Sequence, residues 1–285
     1  MRSTKPLGLA AMAAAATLTL TACGGGGGGE GEAGGGETGG SGESVRIGIK
    51  YDQPGLGFRD GDEYTGFDVD VAKYVAGELG YTEDQIEWVE SPSANRENML
   101  ANEQVDMIFA TYSITDERDQ TVDFAGPYFV AGQDLLVRAD DDSIQGPADL
   151  EGKNLCSVTG STSAANIQEE VPGVNLLEQP GYADCLTSLE SGQVDAVTTD
   201  DIILAGLAST DANQGKFQVV GNTFSEERYG VGLPQGSDQC EAVNEAITQM
   251  IEEGAWEDAV QEHTEGANYT YNEELNPPEP EPCGE

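Results

Sequence analysis

Two similar segments of the sequence end in charged residues of opposite sign. The stretch "QVDMIFATYSITDER", residues 104–118, ends at Arg118, and "QVDAVTTDD", residues 193–201, reaches Asp200. Each segment starts with Gln-Val-Asp, continues through an apolar run and ends among hydroxyl residues. A guanidinium holds a carboxylate through two parallel hydrogen bonds, and a carboxylate can hold an ammonium group. If the two segments face one cleft, they match the two ends of a zwitterion such as an α-amino acid.

Hydroxyl side chains near both charged residues add hydrogen-bond donors. Thr111 and Ser113 precede the arginine, and Thr115 resembles a helix N-cap that would aim backbone N–H groups at the same place. In the second half, "TGSTS" precedes a predicted helix and offers Ser161 and Thr162. We therefore expect these hydroxyl groups to help hold the ligand.

Simpler roles exist for the same residues. Asp200 can cap the helix that follows it, and the two hydroxyl residues of "TGSTS" can be ordinary helix caps. Arg118 can form a surface ion pair with Glu117 or Asp119. The sequence leaves these alternatives open, and only the matching positions of the two segments favour a shared site.

The elements that would position these residues alternate between short β-rich runs and helical runs, which indicates an α/β fold. "SVRIGIK" predicts the first strand, and "FDVDVAKYVAGELG" predicts an amphipathic helix that ends at a glycine. After "DLLVRAD" the strand and helix order starts again, and the final helical region breaks near Gly254. We interpret the order as two lobes, each a mostly parallel sheet flanked by helices, joined by crossing segments near 133–138 and 229–233. A single lobe with accidental repetition is the alternative. The expected boundaries are 44–134 with 231–265 for lobe 1 and 135–230 for lobe 2.

The charge of the chain excludes some partners. The 285 residues include 12 Lys+Arg and 53 Asp+Glu, a formal net charge of −41. Phosphates would be repelled, so we expect no nucleic acid partner, and the charge also disfavours adhesion of the folded body to an anionic membrane surface. The one histidine, His263, lies far in sequence from both charged segments, and no metal-ligand cluster is present. We expect no cofactor, no metal and no enzymatic activity.

The N-terminal residues read as a targeting segment. Residues 1–22 combine a basic start with a short apolar stretch, and "LTAC" resembles a lipobox that ends at Cys23. The Gly/Glu-rich residues 23–43 are typical of a flexible tether. We expect a lipidated Cys23 that anchors the protein to the outer face of the cell membrane, with an ordinary signal peptide and a chance cysteine as the alternative.

Export would place the remaining cysteines in an oxidising compartment, where disulfides form. Three pairings are open, and we favour Cys156–Cys185 and Cys240–Cys283 because each pair then joins neighbours in chain order. The second pair would pin the Pro/Glu-rich tail, residues 266–285, to the body.

Several motifs together resemble the bacterial extracellular solute-binding proteins of family 3. "GFDVDVAKYVAGEL" fits the family signature, "SITDER" is similar to its ligand loop, and "GSTS" and "VTTDD" match contacts of the second lobe. "YDQPGLGF", "DFAGPY" and "CSVTGSTS" make the chain most similar to glutamate-binding lipoproteins of ABC amino-acid importers. The resemblance covers about residues 44–265 and implies a type II periplasmic-binding-protein clamp that closes on its ligand.

The resemblance also implies a role for each site residue. Arg118 would hold the α-carboxylate with help from Thr111, Ser113, Ser161 and Thr162, and Asp200 would hold the ammonium group. For an acidic ligand side chain, Lys50 and Arg96 stand where acidic-ligand members of the family place positive charge, although both can equally be solvated surface residues. Tyr51, Phe58 and Tyr112 could pack against the ligand or in the core.

The resulting expectation is a monomeric binding lipoprotein that prefers L-glutamate, with aspartate or glutamine as secondary ligands, and delivers it to ABC permease subunits. A dehydratase-like enzyme of the same fold and a sensory lipoprotein without transport are the alternatives. Because salt screens charges beyond about 8–10 Å, the overall negative charge should slow association with glutamate more than it weakens affinity.

Overall fold

The computed structural model describes residues 44–284, which belong to one compact unit of the chain. Cys23, the expected signal segment and the expected tether lie outside the described residues. The first half forms β1 (Val45–Ile49), β2 (Phe58–Asp60), β3 (Glu63–Thr65), α1 (Phe67–Glu78), β4 (Ile86–Glu90), α2 (Arg96–Ala101), β5 (Met107–Ile108) and β6 (Val122–Ala131). The second half forms β7 (Gln133–Arg138), β8 (Asn154–Val158), α3 (Thr162–Glu170), β9 (Asn175–Gln179), α4 (Tyr182–Glu190), β10 (Ala196–Asp200), α5 (Asp201–Ser209) and β11 (Phe217–Val219). The chain then returns through β12 (Glu227–Pro234), α6 (Cys240–Glu252) and α7 (Ala255–Thr264).

Two five-stranded sheets define two lobes, which confirms the predicted α/β clamp. The first sheet has the order β4-β1-β5-β12-β6, and the second has the order β11-β7-β10-β8-β9. The sheets are mixed and not mostly parallel as predicted. In the first sheet β12 runs antiparallel to β5 and β6, and in the second β7 runs antiparallel to β10 and β11. These reversed strands adjoin the crossings, where the chain enters a new sheet from the opposite end.

The crossings lie just before the strands that the sequence indicated. The chain passes from the first sheet to the second at Gly132, between β6 and β7, and it returns between Val219 and Glu227. The predicted segments 133–138 and 229–233 correspond to the strands β7 and β12 themselves. The two crossings lie next to each other, since the Gln133 N–H donates to Oγ of Ser225 at 3.1 Å. The two predicted ligand segments end between the lobes, where Arg118 contacts Gly160 and Asp200 contacts Tyr229.

Local sequence explains where several elements begin and end. Gly254 adopts a left-handed conformation with φ of 80° and separates α6 from α7, as its position predicts. The apolar run before Thr111 pairs as a strand only at Met107 and Ile108, because the chain then turns at Thr111, whose φ is 45°. The hairpin of β2 and β3, and the strands β6 and β11, were not predicted. Among the described residues, no helix is long and apolar enough to cross a membrane.

Both disulfides favoured from the sequence are present. Cys156–Cys185 joins β8 to α4, and Cys240–Cys283 joins α6 to the C-terminal tail. The tail runs along β6, where the side-chain amide of Asn276 accepts a hydrogen bond from the backbone N–H of Val130 and donates one to its carbonyl, at 2.9 and 2.8 Å. The tail is therefore part of the folded body.

Candidate functional site

Arg118 begins a single 3-10 turn after "SITDE" and is buried between the lobes. Its Nη1 donates to the Ser113 carbonyl at 2.7 Å, and its Nη2 donates to the Gly160 carbonyl of the second lobe at 3.2 Å. Its Nε lies 3.3 Å from Oε1 of Glu97. The guanidinium therefore has one anionic partner of its own, on α2, and it reaches across the cleft. The expected alternatives, surface ion pairs with Glu117 or Asp119, do not form.

Arg96 and Arg118 both place their guanidinium groups against the ring of Tyr112. The guanidinium carbon of Arg96 is 4.1 Å from the ring centroid, and that of Arg118 is 4.8 Å away. The Tyr112 hydroxyl donates to Glu97 at 2.8 Å. Such cation–π contacts favour a positive charge next to the ring. Tyr112 is fully buried, so it packs in the core and supports the two arginines.

Arg96 differs from Arg118 in lacking an anionic partner. It is only 2% exposed, its Nη1 donates to the Ala110 carbonyl at 2.9 Å, and its buried Nε has no hydrogen-bond partner. Among residues 44–284, no carboxylate forms an ion pair with it. Burial, and then the nearby charge of Arg118, lowers the pKa of Arg96 to about 10. The alternative of a solvated surface residue is therefore wrong for Arg96.

Lys50, at the end of β1, is also buried and not solvated. Its Nζ lies 3.4 Å from Oγ of Ser93, 3.7 Å from Oδ1 of Asp52 and 5.8 Å from the ring centroid of Tyr182 in the second lobe. Burial lowers the pKa of Lys50, and the charge of Asp52 opposes this shift. A cavity of about 590 Å³ opens beside Lys50 and is lined by residues of both lobes, including Asp52, Thr159 and Gly181.

Asp200 ends β10 and is buried. Its Oδ2 accepts a hydrogen bond from the Tyr229 hydroxyl at 2.6 Å, and its Oδ1 accepts one from Ser163 at 3.3 Å. Asp200 occupies the N-cap position of α5, yet its side chain makes no capping hydrogen bond, so the simple cap alternative does not describe it. Burial, and then the charge of Glu227, raises the pKa of Asp200 to about 8.

The predicted hydroxyl residues have different roles. Ser113 and Thr162 meet across the lobes, with 3.2 Å between their side-chain oxygens. Ser161 caps α3 by accepting from the Ala164 N–H at 3.0 Å, so the plain-cap alternative describes its contacts. The Thr111 hydroxyl donates to the Ala110 carbonyl at 2.8 Å.

Asp68 and Tyr182, like Glu97, lie near the site and were not predicted. Asp68, in α1, is fully buried and accepts from the Thr111 N–H at 2.9 Å and from the Tyr128 hydroxyl at 2.8 Å. It holds Thr111 in its left-handed conformation, and burial raises the pKa of Asp68 to about 6. Tyr182 is the first residue of α4, and its hydroxyl shares a hydrogen bond of 2.6 Å with the hydroxyl of Thr199. Asp68 lies within the quoted "GFDVDV" motif, whereas nothing in the local sequence marks Tyr182.

Comparisons with known proteins agree with this architecture. Residues 45–265 match the family model of the bacterial extracellular solute-binding proteins, family 3. The glutamate-binding protein GluB of Corynebacterium glutamicum is 46% identical over 226 residues, which cover 75% of this chain and 76% of that protein. The glutamine-binding protein GlnH of an ABC transporter in Bacillus subtilis is 36% identical over 220 residues, covering 76% and 79%.

Solved structures show the same clamp. An ancestral arginine-binding protein bound to glutamine has a TM-score of 0.71 and 32% identity, and it covers 77% of this chain and 96% of its own. The arginine-, lysine-, histidine-binding protein ArtJ of Geobacillus stearothermophilus, at 24% identity and a TM-score of 0.73, shows the fold alone and covers 82% and 99%. Sequence, lobes and family model agree, and the chain belongs to the bacterial extracellular solute-binding proteins of family 3.

Proposed function

We propose that the protein binds L-glutamate between its lobes, with aspartate or glutamine as secondary ligands, and delivers it to the permease subunits of an ABC importer. The observation that carries the proposal is the contrast between the two arginines beside Tyr112. Arg118 has Glu97 as an anionic partner, whereas Arg96 is a buried guanidinium without one among the described residues. A buried charge without a partner is costly. A second carboxylate on the ligand would supply the missing partner.

The two ends of the amino acid match the two lobes. Arg118, Ser113 and Thr162 lie where both lobes meet, and their donors suit the α-carboxylate. Asp200 belongs to the second lobe and accepts only neutral hydroxyl donors, so an ammonium group would give its carboxylate a cationic partner. Thr111 is positioned on the first lobe by Asp68, and its hydroxyl would turn from the Ala110 carbonyl to donate to the α-carboxylate.

The side-chain carboxylate of glutamate would lie near Arg96, with Lys50 as a second cation. Lys50 already contacts Asp52, so we assign Arg96 the larger part in distinguishing glutamate from glutamine. The names of the relatives support this order, since GluB is a glutamate-binding protein and GlnH is a glutamine-binding protein. Ser161 caps α3 and would act by orienting Thr162.

We further propose that the protein works as a monomer held at the outer face of the membrane by a lipid on Cys23. The family is extracellular by its description, and the lipobox-like "LTAC" supports the anchor. The lobes, with boundaries close to 44–134 plus 231–265 and 135–230, would rotate about the two crossings to enclose the ligand.

Calorimetry of the purified protein against the twenty amino acids tests the proposal. We expect the tightest binding for L-glutamate, and we expect Arg118→Ala to abolish binding of every amino acid. Arg46→Ala is the matched control, because Arg46 is paired with Asp106 on the outside of the first lobe and should leave binding unchanged. Binding of basic amino acids in preference to glutamate would overturn the assignment. Chemical conversion of a bound amino acid would favour the enzyme alternative instead.

A further inference from the structure

A loop of the first lobe, residues Asp52–Pro54, contacts two glycines of the second lobe. We call this loop the seat. Pro54 faces Gly206 in α5, and Asp52 faces Gly181, the residue just before α4. In both places the second lobe presents backbone without a side chain to the seat. Glycine is common where two backbone segments approach closely, because it has no Cβ atom.

Gly206 allows the closer of the two contacts. A Cβ atom built on Gly206 would lie far inside van der Waals contact with the carbonyl oxygen of Pro54. That oxygen belongs to the backbone, so no side-chain rotation can relieve the overlap. Gly206 is in the interior of α5, where alanine is the better helix former by about 1 kcal/mol. The sequence therefore accepts a weaker helix at this position, and the observed approach of the lobes depends on it.

Gly181 allows a polar contact. Its backbone is extended, with φ of −148°, so alanine could adopt the same conformation. A Cβ atom there would lie 2.8 Å from Oδ2 of Asp52. That oxygen accepts a hydrogen bond from the Tyr182 N–H at 3.1 Å, at the beginning of α4. A carboxylate at a helix N-terminus is stabilising because it satisfies a free N–H and faces the positive end of the helix dipole.

Lys50 supports the same contact from the first lobe. Its Nζ is 3.7 Å from Oδ1 of Asp52, while Oδ2 of Asp52 reaches Tyr182. The Tyr182 ring is 5.8 Å from Nζ of Lys50, and its hydroxyl contacts Thr199, the residue before Asp200. The contact is thus connected on one side to the cations of the first lobe and on the other side to the predicted ammonium site.

We propose that the seat, together with Gly181 and Gly206, is the contact that determines lobe closure, and that Asp52 is a positioning residue that caps α4 only when the lobes are closed. The proposal rests on the proposed function in one respect, namely that ligand capture requires closure. The seat contacts backbone atoms of the second lobe, so it sets how tightly the lobes close and not which amino acid is chosen.

Two glycine variants test the seat without changing any proposed ligand contact. Gly206→Ala should weaken binding of glutamate and glutamine by the same factor, at least about 100-fold, because closure is blocked. Gly181→Ala should weaken both roughly tenfold, which is the typical loss of one charge-assisted hydrogen bond. Asp52→Ala should match Gly181→Ala for glutamine, whose side chain carries no charge for Lys50 to hold, and the double variant should add no further loss of glutamine affinity. Gly146→Ala is the control, because Gly146 is a second-lobe glycine with open space around it and an extended backbone, with φ of 171°, that alanine can adopt.

A second measurement follows closure without any ligand. The side-chain oxygens of Ser113 and Thr162 are 3.2 Å apart. In a protein with Ser113→Cys and Thr162→Cys, these two positions should cross-link under mild oxidation in proportion to the closed population, as read by peptide mapping. We expect Gly206→Ala to slow this cross-link at least tenfold. The melting temperature of the unliganded Gly206→Ala protein should not fall, since alanine favours α5.

The outcomes separate the two proposals. If no amino acid binds the wild-type protein, the proposed function fails, and the cross-linking rate still tests the seat. If Gly206→Ala cross-links at the wild-type rate and binds with the wild-type affinity, the proposal for the seat is wrong. A lower melting temperature or a failure of Gly206→Ala to fold would also overturn it, because the contact would then be permanent and not confined to closure.

Discussion

Replacing Arg96 with methionine should make the unliganded protein more stable while it weakens glutamate binding. Burial, and then the charge of Arg118, lowers the pKa of Arg96 from its ordinary value to about 10 in the folded protein. At roughly 1.4 kcal/mol for each tenfold change in a protonation equilibrium, keeping the guanidinium charged costs the folded state about 3 kcal/mol. Because pH 7 lies below both values, the whole penalty is present at neutral pH.

Two favourable contacts offset part of this penalty. The cation–π contact with Tyr112 is worth about 0.5–2 kcal/mol, and the hydrogen bond to the Ala110 carbonyl is worth about 1 kcal/mol. The net gain from Arg96→Met is then about 1 kcal/mol, which corresponds to roughly 2–4 °C in melting temperature for a chain of this size. Methionine is unbranched and apolar, so it suits the vacated volume.

The affinity of the same variant for glutamate should fall by about 30- to 700-fold, the equivalent of roughly 2–4 kcal/mol for a charged contact in a buried site. Glutamine should lose less, because its side chain carries no charge. Thermal denaturation and calorimetry measure the two effects. Arg46→Met is the control, and it should lower stability slightly, since Arg46 is paired with Asp106. A lower melting temperature for Arg96→Met, with equal losses for glutamate and glutamine, would refute the reasoning.

Two other predictions follow from the described contacts. The pKa of Asp200 is raised to about 8, and Asp200 must be ionised to hold an ammonium group. Binding should therefore release a proton below pH 8, and the Kd should rise up to about tenfold for each pH unit as the pH falls from 8 to 6. Calorimetry in buffers of different ionisation enthalpy measures the released proton, and a Kd that is flat over this range would contradict the assignment. Replacing both Cys240 and Cys283 with serine removes a disulfide with a sequence separation of 43, and this should lower the free energy of unfolding by about 4 kcal/mol. An unchanged denaturation midpoint in urea would show that the tail is held without the disulfide.

Much of the fold could be predicted from the sequence because its signals are local. The alternation of β-rich and helical runs gave the lobes, and "SVRIGIK" and "IEWVE" correspond to β1 and β4. The sequence did not reveal β6, since "VDFAGPYFVA" contains glycine and proline and reads as a turn. It also did not reveal the mixed sheets, because strand direction depends on which sheet a strand joins after a crossing.

The charged residues of the site could be predicted from the sequence more readily than the residues that contact and position them. Arg118 and Asp200 stand at strand ends that a reader of the sequence can locate, and Arg96 and Lys50 were indicated only through the family resemblance. The contacts of Glu97 with Arg118 and of Tyr182 with Asp52 could not be predicted from sequence periodicity, because they depend on how α2 and α4 lie against the cleft. Ser161, by contrast, makes a local capping contact with the Ala164 N–H three residues further on, which the sequence analysis had included as an alternative.

The pairing of Asn276 with Val130 has a consequence for how copies of this protein behave side by side. Strand β6 is an outer strand of its sheet, and outer strands expose backbone groups on which a second molecule can add a strand. Here the Gly126 carbonyl accepts from the Glu281 N–H, the Tyr128 carbonyl accepts from Trp256 at 2.7 Å, and Asn276 occupies both polar groups of Val130. The tail, together with Trp256 of α7, thereby covers this outer strand and disfavours the addition of a strand from a second molecule.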